Sequence, residues 1–354
     1  MKRLVVALLT IFMILTGCAG PGEPTTIATE PAPGQQTPAG AVPEGQAETA
    51  PPEDRNLSIV AAIFPQYDWV REILGDHGDR FDVTLLMDNL VDLHSYNPSI
   101  SDIALIAASD LFIHVGGHSD GWVDDVLRQA TNPNMVVLNL LEVLGDAVLM
   151  EIEIEGAEHI CDDDCDDDHD HGGVHLGEDE HVWLSLRHAK TICAAITDAL
   201  AELDPDNAEA FRRNLDAYVE RLSALDMEFQ AVADAASVRT LVFADRFPFR
   251  YLMEDYGIRF YAAFSGCHAA AEASFSTIVF LATRMEELGL GNIMISETAD
   301  GSIARTVISS TPGGGQQILV LNAMQAVLRR DIDEGLTYLS VMESNLDVLR
   351  EALS

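Results

Sequence analysis

The chain has 354 residues, 48% of them apolar, enough for two domains with buried cores. It carries 58 Asp and Glu against 20 Lys and Arg, a formal charge of −38. That balance argues against a nucleic-acid partner, which would need a basic face to neutralise phosphates, and suits a chain that draws cations toward itself.

The chain opens with a basic "MKR", an apolar "LVVALLTIFMIL" and "LTGC". The apolar run is too short for a comfortable membrane span and reads as a signal peptide over residues 1–18. "LTGC" reads as a lipobox, with Cys18 as the lipidated residue, which places the mature chain on the outer face of a bacterial cytoplasmic membrane. Residues 19–56 are rich in Pro, Gly, Thr, Ala and Glu, cannot bury a core, and read as a disordered tether.

Globular signal begins at Leu57. "LSIVAAIF", "FDVTLLM", "LFIHVGG" and "NMVVLNL" are expected strands, and "QYDWVREILG", "SISDIALIAASD" and "DGWVDDVLRQA" are expected helices between them. Alternation of this kind predicts a parallel sheet with helices on both faces. This amino-terminal lobe, residues 57–204, includes an acidic, His-rich loop over 156–180 and ends in the helix "HAKTICAAITDALAEL". Residues 205–236 follow, with Phe211, Leu215, Tyr218, Leu222, Leu225, Phe229 and Val232 at helical spacing. A helix of that length spans roughly 45 Å, the reach of a strut between two lobes. Residues 237–354 repeat the alternation with strands "TLVFA", "IRFYAAF", "NIMIS" and "QILVLN", and close with an amphipathic helix. The expected fold is therefore α/β: two (βα)4 lobes with parallel sheets, joined by one long rigid helix.

Ligands in such sheets bind beyond the carboxyl ends of the strands. The donors there are His94 after the second strand, Asp245 and Arg246 after the fifth, and Cys267 and His268 after the sixth. Glu297 follows the seventh and Asn322 the eighth, while His181 lies where a polar run turns apolar. His114 sits in a strand pattern and reads as core, and His118 as a loop residue. Cys193 lies in an apolar helical pattern and reads as core. Cys161 and Cys165 could pair or bind metal, and no disulfide framework is implied.

"LHSYNPSISDIALIAASDLFIHVGG" and "DEHVWLS" resemble segments of the zinc and manganese solute-binding lipoproteins of ABC importers, as do "FRYLMEDYGIRFYAAFSG" and "YLSVMESNLDVLREAL". The acidic, His-rich insertion before the second segment is typical of that family's zinc-specific members. The resemblance runs from Leu57 to the end. It implies the same two-lobed fold, Zn²⁺ as cargo with Mn²⁺ as the alternative, an ABC permease as partner, a lipid contact with the membrane, and a monomer. It also implies His94 and His181 as metal ligands. The family's third and fourth ligand positions fall on Arg246 and Asn322, so the second-lobe donors are sought among Asp245, Glu297, Cys267 and His268, with Asp245 preferred. Arg246 is expected to pair with a carboxylate such as Glu297. His169, His171 and His175 are expected to gather Zn²⁺ loosely for the cleft. A surface adhesin is a further reading the family allows. A zinc hydrolase is disfavoured, because no H-E-x-x-H occurs and neither a phosphate loop nor a nucleophile elbow is present.

Overall fold

Eight short runs rich in Val, Ile, Leu and Phe form the strands, and the computed structural model describes residues 55–157, 177–265 and 273–354. The first half runs β1 (Leu57–Ala61), α1 (Phe64–Leu74), β2 (Phe81–Leu85), α2 (Ile100–Ala108), β3 (Leu111–His114), α3 (Val123–Leu127), β4 (Val136–Asn139) and α4 (Leu140–Leu144). Helices α5 (Leu186–Leu203) and α6 (Ala208–Ala235) follow. The second half runs β5 (Thr240–Phe243), α7 (Arg250–Asp255), β6 (Arg259–Ala262), α8 (Phe275–Leu288), β7 (Asn292–Ser296), α9 (Ser302–Ser310), β8 (Gln317–Leu321), α10 (Arg329–Asp333) and α11 (Tyr338–Ala352).

The strands make two four-stranded sheets in the orders β2-β1-β3-β4 and β6-β5-β7-β8. Every pairing is parallel, from Leu57 opposite Phe81 in the first sheet to Asn292 opposite Gln317 in the second. The two halves thus repeat one topology. The predicted fold class holds. Helix α1 starts one residue before Pro65, in the first turn where proline needs no partner for its nitrogen, so the first strand stops earlier than its apolar run suggested. The five-residue helices α4 and α10 carry no sequence expectation, because five residues show no helical period and, unlike α3, neither sits in a longer helical pattern between two expected strands.

Helix α6 has 28 residues, about 42 Å of rise, and buries Phe211, Tyr218, Leu222, Leu225 and Phe229. Its buried face belongs to one continuous apolar cluster that reaches from Ile59 and Trp69 to Phe243, Leu321 and Leu346. Because one core serves both sheets, relative motion of the two halves would expose apolar surface. A polar junction adds to this. Asp68 Oδ2 accepts the Tyr338 N–H at 2.8 Å, and so caps the last helix from across the molecule. The Tyr338 ring packs edge-on to Trp69 at 5.0 Å, and its hydroxyl donates to the Trp183 carbonyl at 2.7 Å. Burial pushes the Asp68 carboxyl up to about 6, against the partial relief of that one backbone donor.

Candidate metal centre

His94 sits in a 3-10 turn, Leu93–Ser95, between β2 and α2. Asp92 caps the turn, its Oδ1 accepting the His94 N–H at 2.9 Å. His181 immediately precedes a second 3-10 turn, Val182–Leu184, whose Trp183 is almost fully buried. The two turns bring the rings together at 5.2 Å between centroids, with Nε2 of each facing the other at 3.2 Å.

The far nitrogen of each ring meets oxygen. His181 Nδ1 lies 2.8 Å from Asp179 Oδ1, which also accepts the His181 N–H at 3.1 Å. His94 Nδ1 lies 2.8 Å from Ser119 Oγ and 3.5 Å from Glu180 Oε2, and the Ser119 N–H donates to Glu180 Oε1 at 2.7 Å. Burial raises the Glu180 carboxyl, with Ser119 drawing it back. Gly117, at φ +80°, lets the backbone pass against this carboxylate, where a Cβ would meet Glu180 Oε1 at 2.5 Å. Oxygen partners at both Nδ1 atoms favour the Nδ1–H tautomer, and both Nε2 lone pairs then converge on one point.

The second half of the molecule contributes a tight turn after β8. Asn322 Oδ1 accepts the Met324 N–H at 2.7 Å, and Met324 has the left-handed φ of +58°. Glu297 Oε2 and Oε1 accept the N–H groups of Ala323 and Gln325 at 2.8 and 3.0 Å. Asn345 pairs with Asn322 through both its amide groups, and Trp183 Nε1 donates to the Ala323 carbonyl at 2.8 Å. So held, the turn directs Gln325 at the two imidazoles: its Nε2 lies 3.2 Å from His94 Nε2 and 3.0 Å from His181 Nε2. Its amide can donate to both lone pairs, and the same group turned over offers a carbonyl oxygen to the same point.

The structure thus brings His94 and His181 together and gives Asp245, Glu297, Asn322 and Arg246 other partners. Asp245 Oδ2 accepts from the Ser296 N–H at 3.2 Å and from the Ser296 hydroxyl, bracing β5 against β7. Glu297 and Asn322 build the turn, and burial raises the Glu297 carboxyl while the backbone donors lower it. Arg246 reaches Asp92 Oδ2 at 3.3 Å rather than Glu297, and so steadies the His94 turn from the opposite lobe. Among the described residues no third His, Cys, Asp or Glu completes a group with the two imidazoles. Cys267, His268, His169, His171, His175, Cys161, Cys165 and Cys18 lie outside the described residues. His114 is buried at the end of β3, 3.0 Å from Asp120, as a core histidine satisfied by a carboxylate. Gln325 escaped the sequence reading because a glutamine in a turn carries no metal signature. Its place after the last strand was the available clue.

Residues 59–352 match the family described as "Zinc-uptake complex component A periplasmic". The chain is 30% identical over 300 residues to the zinc-binding lipoprotein AdcA of Streptococcus pneumoniae, an alignment that covers 84% of this chain and 56% of that one. It therefore spans little more than half the length of that relative. It is 28% identical over 297 residues to the high-affinity zinc uptake system protein ZnuA of Bacillus subtilis, covering 84% and 88% of the two chains. The crystal structure of the Zn(II)-bound ZnuA-like domain of S. pneumoniae AdcA matches with a TM-score of 0.63 at 26% identity, over 84% of this chain and 99% of that one.

Proposed function

As the chain belongs to the periplasmic zinc-uptake component A family, we propose that it captures Zn²⁺ outside the cytoplasmic membrane and hands it to an ABC permease. The observation that carries this reading is the pair of Nε2 atoms 3.2 Å apart, each on a ring whose other nitrogen is held by oxygen. An ion about 2.0–2.1 Å from both nitrogens would subtend about 100° between them, close to the tetrahedral angle zinc prefers. The carboxylates behind the rings raise their basicity and fix their orientation.

Gln325 supplies the second-lobe contact through its carboxamide oxygen, and it closes the site when its amide faces the imidazoles instead. Asp245 and Glu297 act as frame, and Arg246 acts through Asp92. The two imidazoles favour Zn²⁺ over Mn²⁺, which prefers oxygen ligands. Cys18 is the proposed lipid anchor. The acidic loop is the proposed collector of Zn²⁺ ahead of the cleft, where its charge raises the local cation concentration.

A chelator-competition titration with Zn²⁺ and Mn²⁺ tests the reading on the intact chain, on His94→Ala and on a deletion of residues 158–178. One tight zinc site that survives the deletion and is lost with His94 is the expected result. Zinc that follows the loop and ignores His94 would withdraw the cleft as the carrier site.

A further inference from the structure

The two most exposed large apolar side chains among the described residues are Ile100, 88% exposed, and Phe275, 80% exposed. They occupy the same place in the two halves of the fold. Ile100 is the first residue of α2, which joins β2 to β3, and Phe275 is the first residue of α8, which joins β6 to β7. With the sheet orders identical, these are equivalent connections.

The local sequences repeat as well. "SISDI" begins at Ser99 and "SFSTI" at Ser274. Ser99 Oγ accepts the Asp102 N–H at 3.2 Å and touches Ser101 Oγ at 2.7 Å, while Ser274 Oγ accepts the Thr277 N–H at 3.2 Å and touches Ser276 Oγ at 2.8 Å. These serine caps satisfy the helix ends. Nothing in a helix start calls for an exposed isoleucine or phenylalanine, since that position favours proline or an acidic side chain.

Both helices leave the carboxyl edges of their sheets. Those edges carry the metal centre, because His94 precedes α2 on one and Gln325 follows β8 on the other. An equivalent apolar knob on each lobe calls for two equivalent sockets. The charge of −38 calls for basic surroundings on the other side.

We propose that Ile100 and Phe275 are paired docking knobs that seat the cleft on a membrane transport partner built from two like subunits or halves, each offering an apolar socket ringed by basic side chains. This rests on the zinc-carrier reading above and specifies how that carrier meets its permease.

The test uses the full membrane-anchored chain in cells whose zinc uptake depends on it, carrying Ile100→Ser, Phe275→Ser, both together, or Met227→Ser as a control. Met227 is 68% exposed and lies on α6, which belongs to neither of the two equivalent connections. Radioactive zinc entry is measured below saturation, and zinc affinity by chelator competition on the purified chains. Each single substitution is expected to slow entry several-fold and the double by more than about tenfold, the scale of interface hot spots. Affinities should stay within about twofold, and Met227→Ser should behave as the parent. A double variant that takes up zinc at the parental rate would overturn the proposal. A parental dimer that the double variant converts to monomer in sedimentation would reassign the knobs to a self-contact. Lost flotation with phosphatidylglycerol vesicles would reassign them to lipid. A parental chain that binds no zinc, or cells that import zinc equally without it, would remove the carrier reading and the docking proposal together. That result differs from normal affinity with normal uptake in the double variant.

Discussion

The two halves of this molecule share one topology and contribute unlike chemistry to the cleft. The first half presents imidazoles, and their orienting groups are side chains: Asp179 behind His181, and Ser119 with Glu180 behind His94. The second half presents no imidazole among its described residues, and two of its carboxylates serve as scaffolding: Glu297 holds the 323–325 backbone, and Asp245 holds Ser296. At the imidazoles it places the neutral side chain of Gln325. The comparison teaches that position on a duplicated fold does not carry function with it. Among the described residues one lobe presents ring nitrogen, and the other presents a braced turn that meets it.

The comparison breaks most directly at the imidazoles. His94→Ala or His181→Ala should weaken zinc binding by more than about 100-fold in competition titration, beyond the cost of losing an outer-shell partner. Asp245→Asn in the same assay should change little, and equal losses at the two positions would erase the division of labour between the lobes.

The junction that unites the halves should respond to pH. The Asp68 carboxyl is raised to about 6 from 3.8, so the native state keeps a proton that the unfolded chain releases between those values. Stability from this group is full below about pH 4 and is lost as pH rises through about 6, by about 3 kcal/mol in all. Asp68→Asn keeps an oxygen for the Tyr338 N–H and removes the loss. Urea melts should show the variant ahead at pH 7.5 and level with the parent near pH 4, whereas a constant offset across that range would deny the carboxyl its role.

A smaller effect is expected behind the ring. Asp179→Asn should cost about 10–100-fold in zinc affinity with little change in melting temperature, since the ring stays in place while its basicity drops. Unchanged affinity would mean that the tautomer of His181 is set elsewhere. Smallest of all, Gln325→Ala should weaken zinc by less than about tenfold, the worth of one neutral contact, and speed its release in stopped-flow chelation. Slower release would show that the glutamine excludes the ion rather than holding it.

Much of this was legible along the chain. Strand-like runs of five to eight residues alternating with helical spacing announced both sheets, and the long amphipathic stretch announced α6, because period and length are local properties. His94 and His181 were legible from the segments around them. The partners of Asp245, Glu297 and Arg246 were not. A carboxylate after a strand looks the same whether it meets a cation or a backbone N–H, and Arg246 could reach Asp92 only once the lobes were set face to face.

Read along the chain alone, the residues specify a cation-attracting α/β protein with two like sheets, a stiff connector, His94 at a strand-edge turn and His181 where a polar run turns apolar, because composition, period and turn chemistry act over a few neighbouring residues. It took the assembled fold to set those histidines face to face at 3.2 Å, to bring Gln325 onto them, and to turn Asp245 and Glu297 into braces of the frame. Those outcomes depend on which groups meet across 26 to 231 residues of chain, and packing of the shared core sets those meetings.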